Sequence, residues 1–120
     1  MNPLNYASLP ASQRLQSSGI VLETEKTWFF STTGWEMVDR YAAHHVNRHY
    51  LPAPSMAEVW RELPECIPYD DTTWAAWQAH KQGDLTIISI AAFRKEFISL
   101  NPTDALIDLL IWVREEANHA

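Results

Sequence analysis

Cysteine is almost missing from this chain: Cys66 stands alone among 120 residues, so no intramolecular disulfide can staple the fold. Glycine is nearly as scarce, with three in the whole chain, which leaves too little material for a phosphate-cradling loop or a GxGxxG turn; no GxSxG nucleophile elbow occurs either. Positive charge is short as well. Nine Lys and Arg against fifteen Asp and Glu give a formal charge of −6, and no dense basic stripe compensates, so nucleic acid is not an expected partner. The longest apolar run, from Ala105 to Val113, is interrupted by Asp108 and falls well short of the roughly twenty residues that cross a bilayer. No membrane association is expected. The opening MNPLNYASLPASQRLQ lacks the basic start and apolar run of a signal peptide, so the expected location is cytoplasmic.

What is abundant is apolar and aromatic. Hydrophobic residues make up 47% and charged residues 20%, with six Trp, four Tyr and four Phe, a composition that favours a packed core over disorder. No repeat, low-complexity tract or long linker divides the chain, so residues 1–120 read as a single domain.

Local signals outline an α+β fold. Ser8 or Ser12 can cap a short helix over 10–18 that Gly19 closes, with Leu15 and Ile20 placed for the apolar contact of a Schellman motif. Thr27 to Ser31 and Trp35 to Val38 flank Thr32-Thr33-Gly34 and favour a hairpin, although Thr33 with Glu36 could instead launch a helix over 34–49. Ser55-Met56-Ala57-Glu58 is a capping box for a helix over 56–63 that Pro64 stops, and residues 65–73 read as a loop. Trp74 to His80 and Leu85 to Phe93 suggest a second hairpin around Gly83, the first arm being ambiguous between strand and helix. Asn101-Pro102-Thr103-Asp104 starts the clearest helix, 102–117, with Leu106, Leu109, Leu110, Val113 and Ala117 on one stripe. The expected architecture is an antiparallel sheet of two hairpins, packed on one face by the 56–63 and 102–117 helices.

Two isoleucines do not belong to that stripe. Ile107 and Ile111 lie one turn apart beside Asp104, Asp108 and Glu115. Either the buried face is wide and covered by the amino-terminal helix or a loop, or Ile107, Ile111, Trp112 and Arg114 form a self-association surface.

Three of the five histidines cluster at His44, His45 and His49. On a helix, His45 and His49 would share a face and could hold one zinc ion, with Asp39, His44, Cys66, Asp70 or His80 completing the set. Val46 stands where HExxH needs glutamate, so the motif is incomplete and polar, partly exposed histidines are the simpler reading. No cofactor is expected. Cys66 reads as a small buried hydrophobe rather than a nucleophile. Carboxylates at Glu62, Glu65, Asp70, Asp71 and at Asp104, Asp108, Glu115, Glu116 admit one more alternative, an acidic mimic of DNA, against the default of ordinary solvated faces.

PAPSMAEVWRELP (52–64) and NPTDALIDLLIWV (101–113) resemble small accessory proteins of tailed bacteriophages and prophages whose activity is unknown. The resemblance implies a non-virion role and transfers no catalytic or binding residues. Together with the missing catalytic motifs it leads to one expectation: a non-enzymatic protein acting through protein–protein contacts, as a homodimer and on a host protein. A metal-dependent, hydrolytic site at His44, His45 and His49 is the alternative.

Overall fold

In a computed structural model, the structure describes residues 5–31, 34–39, 50–69 and 72–119. Its three described helices each start on a side chain that satisfies the open amides of the first turn. Helix α1 (Leu9–Ser17) is capped by Ser8, whose Oγ accepts from the Ala11 amide at 3.2 Å. It ends as the sequence predicts: Gly19 takes φ 76°, and the amides of Gly19 and Ile20 donate to the carbonyls of Gln16 and Leu15. Leu15 and Ile20 are both buried beneath that turn. Helix α2 (Met56–Glu62) has the full capping box, with the Glu58 amide donating to Ser55 Oγ at 3.1 Å and the Ser55 amide to Glu58 Oε1 at 2.7 Å. The second oxygen of Glu58 accepts from the Glu25 amide, which ties the cap to the strand region before it. Helix α3 (Pro102–His119) starts from Asn101, whose Oδ1 accepts from the amides of Thr103 and Asp104 at 2.9 and 3.3 Å. The observed helix limits differ from the expected ones by one or two residues, the usual scatter at helix ends.

The strands are antiparallel, as expected, but they form three small sheets rather than one. The first is ordered β2-β1-β3, from β1 (Lys26–Ser31), β2 (Gly34–Asp39) and β3 (Tyr50–Ala53). Register runs from Ser31↔Gly34 to Lys26↔Asp39, so residues 34–39 are the hairpin arm and not the start of a helix. The rest of the 34–49 segment lies outside the described residues. The second sheet pairs β4 (Cys66–Pro68) with β5 (Trp74–Ala76), which puts a strand inside the stretch expected to be loop. The third is ordered β6-β7-β8, from β6 (Gln78–Gln82), β7 (Leu85–Ile90) and β8 (Lys95–Ser99). Gln82 pairs with Leu85 across Gly83 and Asp84, with Gly83 at φ 64°, a two-residue hairpin that needs glycine first.

The division into sheets happens at Trp77. Before it the chain pairs with β4, and after it with β7; the Trp77 indole N–H donates to the Pro64 carbonyl at 2.9 Å and pins the crossover. The helical option for 74–80 is thereby replaced by two short strands.

Helix α3 lies against β7 and β8, with α2 and α1 packed beside it. Ile88 and Ile90 from β7 meet Leu106, Ile107, Leu109 and Leu110 from α3, and Ala11, Leu15, Val59, Ile67 and Ala75 close the cluster. Each large side chain so buried contributes roughly 1.5–3 kcal/mol. This core holds the flank of α3 that carries the candidate surface.

Candidate interaction surface

The four residues expected to form one surface are separated by the fold. Ile107 is fully buried, at 0% exposure, in the core cluster that α1 shares with α3. It cannot meet a second molecule, and the wide-face explanation accounts for it. Ile111 and Trp112, one turn further on, are only half-buried. Arg114 is exposed and points elsewhere, with Nη2 3.7 Å from Glu62 Oε1 on α2. Asp104, expected on the solvent side, is instead buried, its carboxylate accepting from the Ser8 amide at 2.9 Å.

Ile111 and Trp112 share a groove of about 680 Å³ between α1, α3 and β8, with Arg14, Lys95, Phe97, Asp108 and Glu115 among its walls. The apolar floor is aromatic. The Trp112 ring stands edge-on to Phe93 at 5.0 Å and tilted against Phe97 at 6.4 Å, arrangements that the ring quadrupole favours. Lys95 Nζ lies 5.8 Å from the centre of the Phe97 ring, close enough for a cation–π contact.

The rim is charged in both signs. Arg14 grips Asp108 through Nε at 3.1 Å and Nη2 at 3.0 Å, both to Oδ1. Burial raises the Asp108 carboxyl above its ordinary pKa; the charge and hydrogen bond of Arg14 oppose that shift, and Asp104 one turn away adds to it. The surface therefore offers an apolar strip bordered by paired and unpaired charges.

Sequence reasoning found Ile111 and Trp112 but missed the opposing wall. Arg14 faces α3 only because α1 folds back across it, a contact spanning 94 positions, whereas β8 comes under Trp112 through a pairing of consecutive strands, Ile88 with Phe97. Lys95-Glu96-Phe97-Ile98-Ser99 sets its two apolar residues side by side and shows no apolar–polar alternation, so that strand carried little local signal.

His44, His45 and His49, the expected alternative metal ligands, lie outside the described residues, as does Asp70. Among the described residues no three metal-binding side chains come together. His80 is exposed on β6, and Cys66 is partly exposed on β4 opposite Ala76. Several carboxylates of the acidic faces are engaged within the chain: Asp104 by Ser8, Asp108 by Arg14, and Glu62 by Arg114. No described helix is long and apolar enough to cross a membrane. No protein-family model, no curated protein and no solved structure matches the chain.

Proposed function

We propose that this chain is a non-enzymatic accessory protein of a phage or other mobile element that works through protein–protein contacts, with the α1/α3/β8 groove as its self-association surface. The observation that carries this reading is the half-exposed pair Ile111 and Trp112 set beside Phe97 in one groove. The choice of a second copy as occupant rests on charge. A two-fold interface presents the same patch from both sides and so must complement itself. Beyond the internal Arg14–Asp108 pair, the groove carries Lys95 on β8 and Glu115 on α3, one charge of each sign, and so can complement itself, whereas a patch of one sign would repel its copy. The phage resemblance makes a host protein the target of such a dimer.

Light scattering coupled to size exclusion tests the dimer. The wild-type chain is expected at twice its 13.8 kDa mass. Ile111→Glu is expected at the mass of one chain with an unchanged circular dichroism spectrum. Ile107→Glu is unsuitable for this purpose because it would bury a charge in the core. A wild-type monomer at the highest soluble concentration, or an Ile111→Glu dimer, would overturn the assignment.

A further inference from the structure

A second cavity, of about 870 Å³, opens where the amino-terminal segment crosses the start of α2. Tyr6 bridges to Ser55 there, and the Ala7 amide donates to the Pro54 carbonyl at 2.9 Å. The pairing of Lys26 with Ala53 brings the first strand to the same place. The walls are Tyr6, Lys26, Met56, Trp60 and Arg61, none of which lines the groove described above. Its volume falls within the range of about 300–1,000 Å³ typical of small-molecule sites.

Helical geometry builds one wall. Met56 and Trp60 are four residues apart on α2, as are Ala57 and Arg61, so both pairs face the same side while Val59 turns into the core. Trp60 is 54% exposed even though its ring meets Trp77 edge-on at 5.2 Å. A half-exposed indole thus borders the cavity together with the adaptable thioether of Met56.

The cavity also carries one uncommitted cation. Lys26 is already held by the Asp39 carboxylate. Arg61 joins no ion pair among the described residues. The carboxylate of Glu58, three residues before it, is occupied by the amides of Ser55 and Glu25. A cavity lined by a guanidinium, an indole and a thioether matches a flat ring that bears a planar anion.

We infer that this cavity binds a small aromatic carboxylate, with its ring against Trp60 and Met56 and its carboxylate on the Arg61 guanidinium. The site is independent of the self-association surface. A neutral ring would keep the stacking contact but lose the charge-assisted pair, and an aliphatic acid would keep the pair but lose the stack.

Nuclear magnetic resonance titration of the full chain with indole-3-acetate tests this, following the Trp60 indole N–H and the Met56 methyl. Both signals are expected to move saturably. Arg61→Gln, a change at an exposed position, is expected to weaken binding by about tenfold or more, and indole-3-acetamide to bind wild type with a similar deficit. Trp60→Ala is expected to abolish the Met56 response. Trp74→Ala, which removes a tryptophan 64% exposed but outside the cavity, should leave the affinity unchanged. A non-saturating response, equal binding of acid and amide, or indifference to Arg61→Gln would overturn the inference.

Discussion

The two halves of α3 meet different surroundings. From Thr103 to Leu110 every residue except Asp108 is buried, whereas Ile111 to Val113 are half-buried and Arg114 to Glu116 are exposed. The helix packs against β7, β8, α2 and α1, and its first half supplies Ala105, Leu106, Ile107, Leu109 and Leu110 to the core. Two acids survive inside it because a distant part of the chain answers each: the Ser8 amide for Asp104, the Arg14 guanidinium for Asp108. An acid in a helical pattern therefore marks solvent only if nothing folds back to meet it. In the second half Ile111 and Trp112 line the groove between α1, α3 and β8, and their apolar side chains reach the surface.

The largest expected effect separates the two isoleucines. Ile107→Ala removes buried methylenes from a packed site and is expected to cost about 2–5 kcal/mol in denaturant unfolding. Ile111→Ala, at a half-buried groove position, is expected to cost about 1 kcal/mol or less. Equal losses would erase the distinction between the halves.

The acid within the buried half comes next. Asp104→Ala would leave the Ser8 amide without its acceptor at the start of α1, with an expected loss of about 1–3 kcal/mol. Asp104→Asn keeps an oxygen in place and should recover most of it. A loss under Asn as large as under Ala would mean that charge at the helix start, rather than the hydrogen bond, dominates.

How far these arrangements were readable depends on how local their causes are. The three helix starts rest on contacts within four residues, Ser8 to Ala11, Ser55 to Glu58 and Asn101 to Asp104, and each is visible in the sequence. The same holds for the Gly19 and Gly83 turns. Strand β3 carries Pro52 and, among the described residues, pairs with β1 at the edge of its sheet, so its pattern looks unlike a central strand. Strands β4 and β5 span three residues each, too few for alternation to show. At the groove, Ile111 and Trp112 follow from helical spacing, but Arg14 meets Asp108 across 94 positions of sequence. Nothing local distinguishes an arginine that will reach a helix that far away from one that will stay in water.

Not every buried polar group on these elements has a partner, which sharpens the contrast with Asp104. Ser12 Oγ on α1 and Thr86 Oγ1 on β7 are sealed from solvent with no hydrogen bond among the described residues. Ser12→Ala and Thr86→Val are each expected to gain about 1 kcal/mol, by removing a desolvated hydroxyl without changing shape much. For Ser12 the better helix propensity of alanine adds to the gain. A loss in thermal or chemical unfolding would show that these hydroxyls hold ordered water.

The smallest effect lies at the boundary between the halves, where Asp108 titrates. Burial raises its folded-state pKa above the unfolded value, so the folded chain binds this proton more tightly than the unfolded chain does. The contribution of Asp108 to stability is then most favourable below the unfolded pKa and declines as pH rises through the folded one, the reverse of a carboxylate depressed by its partner. Arg14 supplies both influences that hold the value down, its charge and its hydrogen bond. Arg14→Gln is therefore expected to move the Asp108 carboxyl further up and to widen the pH window over which stability falls. Carbon-detected titration of that carboxyl reads the change directly. A pKa at or below the ordinary carboxylate value in wild type, or a downward move in Arg14→Gln, would mean that the flank of α3 is wetter than the enclosure by α1 and β8 implies.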